Sequence, residues 1–314
     1  MTKPRRLPIE NQLRAYLDWS KNIKQVTAST YINKTVILKR FIKEIELEDI
    51  TELSNKAFDK WVQKKLIKKC KTGRQYNINS VRLEISVIIA WLEWLKDMDY
   101  KLKIKTRMIV KPKAIPSRRK WYTSNDISKV LNHCEELIDE VMIRVLFDTG
   151  LRAREFVNLK LSDIDNRTIY VFGKGRKQGW VYISEYTKQR LDLWIHVMGI
   201  KDYLWIKGTR NNYHKQMTVD GIRKRLKAVF MRAGFDDFQM HEMRHSFATD
   251  LRNKGADMDV IQKLMRHSSL QVTQHYLHNL EGDLCPVWDK VKNYQISPNH
   301  HSQTVYIRGE MISV

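Results

Sequence analysis

His241-Glu242-Met243-Arg244-His245, then Arg266-His267, then His275-Tyr276-Leu277-His278, is the run of side chains from which the rest of this chain is read. A histidine and an arginine three positions apart, such as His241 and Arg244, lie on one face of a helix. His267 precedes Tyr276 by nine positions, and Tyr276 is itself flanked by two histidines. Cations and imidazoles gathered around one phenol suit attack by that phenol on a phosphodiester. A phenol with an ordinary pKa of about 10 becomes a nucleophile at neutral pH only beside positive charge or a base.

The composition agrees with a polyanionic partner. The 314 residues include 57 Lys and Arg against 35 Asp and Glu, a net charge of +22, and the excess recurs along much of the chain. Nucleic acid is the first candidate for such an excess, and an anionic membrane the second. Against a membrane, no apolar run approaches the ~18 residues of a spanning helix; the longest, around residues 87–92, reads as one buried helix face. The first residues lead into no apolar segment of the kind a secretion signal needs. Cys70, Cys134 and Cys285 stand apart without CxxC spacing, which suggests neither a zinc site nor a disulfide framework and points to a reducing compartment. The expectation is a cytoplasmic nucleic-acid protein with length enough for two cores.

Residues 1–100 read as helices only. Val81, Ile85, Ile88, Leu92 and Leu95 draw one apolar stripe at alternating spacings of four and three. Leu13, Tyr16, Leu17 and Ile23 form a second stripe, and Tyr31, Val36, Leu38 and Phe41 a less regular third. Ser54 opens a further helix carrying Phe58, Trp61, Val62 and Leu66, so a bundle of about four helices is expected. The cations at the end of that helix, Lys64, Lys65, Lys68 and Lys69, either complement its dipole or contact phosphate. Between residues 101 and 120 nine positions are Lys or Arg and none is acidic, while Pro112 and Pro116 break any helix. This reads as an extended basic linker whose Lys101, Lys103, Lys105, Arg107, Lys111 and Lys113 meet a phosphate backbone. A mixed domain follows over residues 121–280. Thr123 and Asp126 form a capping-box pattern, and residues 167–172 and 180–183 make two strands around the turn Gly173-Lys174-Gly175. Helices resume near Lys188, Val219, Arg244, Asp259 and Thr273. In the tail, residues 281–314, an apolar face of Leu284, Val287, Trp288 and Val291 is a candidate protomer–protomer contact.

Five motifs fall in order across the second half: Thr149-Gly150-Leu151-Arg152-Ala153-Arg154-Glu155; the Gly173-Lys174-Gly175 turn; the His241–Thr249 run; Leu264-Met265-Arg266-His267-Ser268; and Thr273-Gln274-His275-Tyr276. Each alone has an ordinary structural reading. In this order and at these spacings they resemble the tyrosine recombinases, the superfamily of phage integrases and Xer-like enzymes, from about Tyr122 to His278.

The resemblance implies a mainly α fold with a small antiparallel β-sheet: an N-terminal helical core-binding bundle that clamps DNA, and a C-terminal mixed α+β catalytic domain. It implies that Arg152 and Arg244 clamp the scissile phosphate, for which guanidiniums offer planar bidentate hydrogen bonds. Lys174 would be the general acid, and His241 and His267 would bind the phosphate and move protons. Tyr276 would be the nucleophile that forms a 3′-phosphotyrosyl link, with Glu155 steadying the arginines from behind. Such a site needs no metal and no nucleotide, because phosphoryl transfer rests on positioning and charge stabilisation. The implied partner is double-stranded DNA carrying inverted half-sites, with a homotetramer in the synaptic complex. A type IB topoisomerase-like DNA-relaxing enzyme and a catalytically silent DNA-binding protein are the alternatives. The chain departs from the family pattern at Arg266, where glycine is usual, at Gln178-Gly179, where a charged pair is usual, and at Arg154, where a small residue is usual.

Overall fold

A computed structural model describes residues 8–68, 73, 75–115, 120–172, 178–207, 215–266, 304–307 and 310–313, the last two segments and residue 178 by backbone alone. The chain divides into two compact units, residues 1–117 and 118–314.

The first unit is a bundle of α1 (Ile9–Asn22), α2 (Ala28–Ile45), α3 (Asn55–Ile67) and α4 (Ile78–Asp97). Side chains start three of these helices. Thr27, Ser54 and Asn77 accept from the backbone N–H of Thr30, Ala57 and Asn79 respectively, satisfying donors that a helix N-terminus leaves open. The α4 stripe of Val81, Ile85, Ile88, Leu92 and Leu95 is wholly buried, and each such side chain contributes about 1.5–3 kcal/mol. Leu13, Tyr16 and Leu17 of α1, Leu38 and Phe41 of α2, and Phe58, Trp61 and Val62 of α3 complete the core. Phe41 meets the Trp61 ring edge-on at 5.0 Å. Two residues expected on apolar stripes do not join it. Ile23 is 70% exposed because it caps α1 beyond the last turn, and Val36, 49% exposed, shares the outer face of α2 with Ile32.

Two expectations for the basic segments are corrected here. Lys65 is 2% exposed, with Nζ 2.9 Å from Glu44 and 3.1 Å from Glu84, and lies over the Trp61 and Tyr76 rings. It follows Trp61 by one helical turn and Phe58 by two, so helix periodicity turns it into the core, where two carboxylates balance it. It is therefore not a phosphate contact, whereas Lys64 and Lys68 are exposed, Lys68 at the end of α3 with Nζ 3.8 Å from Glu44; Lys69 lies outside the described residues. Residues 101–115, expected as part of an extended linker over residues 101–120, lie on the bundle. The Lys103 N–H donates to Thr51 O (3.0 Å), and Asn55 exchanges two hydrogen bonds with the Lys105 backbone. Arg82 donates to Pro112 O, and Asn79 to Ile115 O. Ile104 is buried, with Leu102 and Ile109 packed beside it. Alternation of apolar and basic residues is the physical reason for the first part: Leu102, Ile104 and Ile109 dock while the cations between them face water, whereas Met108, Val110 and Ile115 stay exposed.

The second unit is built around α6 (Leu137–Thr149), in which every residue except Glu140 is buried, as befits a central helix. Its polar members are paired: Arg144 donates to Glu140 (2.8 Å), Asp139 accepts from Arg225 (2.5 Å), and Asp148 accepts from the Ser184 N–H (2.8 Å). Around it lie α5 (Ser124–Leu131), α7 (Ala153–Val157), α8 (Glu185–Met198), α9 (Val219–Arg232), α10 (Met240–Asn253) and α11 (Met258–Leu264). The capping box at Thr123 and Asp126 is formed, with bonds of 2.8 and 3.2 Å. A three-stranded antiparallel sheet joins β1 (Ile164–Asp165), β2 (Thr168–Phe172) and β3 (Gln178–Tyr182), with Tyr170 opposite Trp180. Two hairpins were not expected: β4 (Ile206–Lys207) with β5 (Lys215–Gln216), and, in the tail, β6 (Thr304–Ile307) with β7 (Glu310–Ser313). The helix expected near Thr273 and the apolar face from Leu284 to Val291 lie outside the described residues. No helix among those described is long and apolar enough to cross a membrane.

Candidate active site

Gly150 ends α6 in the left-handed conformation, φ +57°, its N–H capping Leu146 O. The turn sends the chain directly into α7, with Arg152 as the residue before the helix. Glu155, one turn on, accepts the Arg152 N–H through Oε2 (2.9 Å) and the Arg152 side chain through Oε1 (2.8 Å), in the manner of a capping box. Phe156 anchors α7 from below: its ring stacks on Trp205 at 4.5 Å and its carbonyl accepts the Trp205 indole N–H at 2.6 Å. Arg152 is thus tethered at its base while its side chain stays 38% exposed.

Arg244 comes from α10 and is 3% exposed. Its Nη1 donates to Gly150 O at 2.6 Å and its Nη2 to Met265 O. Burial and the neighbouring positive charge of Arg152 and Arg266 pull this guanidinium down to about 10, so it still carries its charge at neutral pH. α10 is close enough for this because Gly150 has no side chain: a Cβ there would lie 2.5 Å from Phe247 Cδ1. Arg266, just after α11, is also in the left-handed region, φ +50°. It donates to Glu155 Oε2 at 2.8 Å, and its carbonyl accepts from Arg152 Nη2 at 3.5 Å. Burial pushes the Glu155 carboxyl up, but the charge of Arg266 and the hydrogen bonds from Arg152 outweigh it and hold the group below its usual range.

The structure therefore gathers Arg152, Glu155 and Arg244 around one turn. Of the other residues read from the sequence, His241 lies exposed on the first turn of α10, its ring 4.6 Å from that of His245. Lys174, His267 and Tyr276 lie outside the described residues. Tyr122 is unsuited as a nucleophile: its phenol donates to Glu242 at 2.7 Å, and burial with that carboxylate pushes it far above the usual range. What sequence reading missed is the pair of backbone carbonyls, Gly150 O and Met265 O, that hold Arg244. The left-handed glycine after α6 was the available signal for the first; the second left no mark in side-chain identity.

Residues 120–282 match the phage integrase family. A tyrosine recombinase XerC of Listeria innocua is 27% identical over 290 residues, covering 86% of this chain and 92% of that protein. Among solved structures, a lambda integrase tetramer bound to a Holliday junction superposes with a TM-score of 0.68 at 16% identity, covering 86% of this chain and 81% of that one. The XerH site-specific recombinase bound to a palindromic difH substrate, a post-cleavage complex, gives 0.64 at 18% identity over 89% and 84% of the two chains. The fold is that of the tyrosine recombinases, and the chain is a tyrosine-type site-specific recombinase. This chain belongs to the phage integrase family.

Proposed function

We propose that this recombinase cuts duplex DNA by attack of the Tyr276 phenol on a phosphodiester. The new bond joins the tyrosine oxygen to phosphorus, and the bond to the 5′ oxygen breaks. Lys174 protonates that departing oxygen, leaving a 3′-phosphotyrosyl link and a free 5′ hydroxyl. Arg152 and Arg244 hold the non-bridging oxygens, with His241 and His267 as hydrogen-bonding and proton-moving partners. Attack by a 5′ hydroxyl from the partner strand reverses the chemistry and produces a Holliday junction. Because one phosphate ester replaces another, the cycle consumes no nucleotide, and preset cations stabilise the transition state without a metal. The working assembly is a tetramer on inverted half-sites, which the tetrameric and palindrome-bound structural neighbours support; it acts in the cytoplasm, with integration, excision or dimer resolution as the outcome.

The observation that carries the reading is the convergence of Arg152 and Arg244 on the Met265–Arg266 turn, which leads in sequence straight to His267. A nicked suicide duplex that traps the covalent adduct tests it. Tyr276→Phe should bind DNA normally and form no denaturation-resistant adduct, and Arg152→Ala should cleave ~10²–10³-fold more slowly, the scale of losing one preset donor. An adduct formed by the Phe variant would overturn the assignment. Exchange of strands between two sites separates a recombinase from a DNA-relaxing enzyme.

A further inference from the structure

Arg266 stands where the resemblance leads one to expect glycine, yet its backbone keeps a glycine conformation, φ +50°, unfavourable for a residue with a side chain. Its surroundings are fitted to that side chain. The stem passes over Gly179 of β3, where a Cβ would lie 3.2 Å from Arg266 Cδ; the second departure from the family pattern thus makes room for the first. The side chain is 11% exposed, with one guanidinium nitrogen on Glu155 Oε2 at 2.8 Å and with Nε and Nη1 buried and without a hydrogen-bond partner among the described residues. Glu155 gives its other oxygen to Arg152, so a single carboxylate ties Arg152 to Arg266. The same turn directs two consecutive carbonyls, 265 and 266, at Arg244 and Arg152.

We propose that Arg266 is a positioning residue for strand cleavage: its guanidinium fixes the Glu155 carboxylate, and through it the direction in which Arg152 meets the scissile phosphate. This rests on the reading of Arg152 and Arg244 as the phosphate clamp. A residue that merely packed against β3 would leave the chemistry alone. One acting through Glu155 affects Arg152 from 111 positions away in sequence, with no contact of its own to DNA. Its charge also helps keep Glu155 ionised against burial, so without it the carboxylate protonates at a higher pH and its grip on Arg152 is lost there first.

The test uses the full chain and single-turnover cleavage of the nicked duplex. Arg266→Gly keeps the turn conformation while removing the guanidinium. Its thermal midpoint can fall, because Glu155 loses a buried partner, so cleavage is measured well below that midpoint, and its DNA affinity should be unchanged. Its cleavage should fall about 10–100-fold, the scale on which losing a partner behind a ligating side chain acts. Glu155→Gln and the double variant should cleave at similar rates, since both changes break one chain of contacts. Arg266→Gln, which retains side-chain bulk, should move the acid limb of the pH–rate profile upward, and Arg266→Lys should move it back. If Arg266→Gly does not fold, Arg266→Gln takes its place in the cycle. Cleavage by the Gly variant within about twofold of native, or losses from Glu155→Gln and Arg266→Gly that multiply, would overturn the proposal. Arg152→Ala serves as the reference. If it too cleaves normally, the clamp reading fails; if it is inactive while Arg266→Gly is normal, only the positioning role does.

Discussion

Gly150→Ala perturbs the fold and the site at one atom, and a second glycine supplies its control. Gly150 and Gly199 both end helices with φ +57°, so an alanine at either position adopts the left-handed region at a cost of about 1–2 kcal/mol. Nothing lies within 4 Å of a Cβ added to Gly199, whereas one added to Gly150 meets Phe247 at 2.5 and 2.9 Å. Phe247 is 1% exposed and cannot swing aside, so the α6–α10 contact must open, adding an overpacking cost of about 1–3 kcal/mol. Gly150→Ala should therefore destabilise the second unit by about 2–5 kcal/mol, a fall of roughly 4–20 °C in its midpoint at about 2–4 °C per kcal/mol. Gly199→Ala should lower it by only about 2–8 °C. Thermal unfolding followed by circular dichroism makes the comparison. Cleavage measured well below both midpoints should distinguish the variants more sharply. Displacing Phe247 also moves Arg244, on the same helix, relative to the Gly150 carbonyl that holds it at 2.6 Å, and ångström-scale misplacement costs about 10²-fold. Coincident midpoints, or a Gly150→Ala enzyme that cleaves as fast as Gly199→Ala, would refute the argument that α10 is seated by the missing side chain.

Two further expectations concern the first unit. Lys65→Met should destabilise it by about 3–5 kcal/mol, because Glu44 and Glu84 lose their shared buried cation, while Lys64→Met should stay within about ±0.5 kcal/mol; urea unfolding followed by tryptophan fluorescence reports on this, and a harmless Lys65→Met would contradict the core placement. Replacing Lys101, Lys103, Lys105, Arg107, Lys111 and Lys113 with glutamine should leave the bundle's stability nearly unchanged, since the segment is held by its backbone and by Ile104. The same variant should weaken DNA binding about equally for every sequence and flatten the salt dependence by up to ~0.9 for each phosphate no longer neutralised; a full salt slope would remove these cations from the interface.

How much of this was legible in the sequence depended on whether a property is local. The α4 stripe, the Ser54 start of α3 and the Thr123–Asp126 box are set by residues within a few positions of one another, and the structure realises each. The strand pair around residues 173–177 was legible for the same reason, through its β-branched and aromatic alternation. Lys65 shows where local reading fails. A lysine in a basic run reads as solvated, and only the arrival of Glu44 from α2 and Glu84 from α4 makes its burial tolerable. Residues 101–115 are a related case: their charge was conspicuous, while Leu102, Ile104 and Ile109 and the backbone bonds at Lys103 and Lys105 decided where the segment lies.

The site divides along the same line. Arg152, Glu155 and Arg244 could be found by motif, because their side-chain types are what phosphate chemistry requires. What aims them could not. Arg244 is held by the carbonyls of residues 150 and 265, groups that every amino acid carries and that motif reading therefore does not weigh. Arg266 looked in sequence like a departure from a glycine position. In the fold its charge is directed inward, onto the one carboxylate that also holds Arg152. Three guanidiniums around one carboxylate leave a local excess of positive charge, and a single phosphodiester is the anion that would relieve it. The fold prevents these cations from separating, and Arg152 is the one among them that stays open to solvent, so under the proposed clamp the scissile phosphate would supply the missing negative charge there.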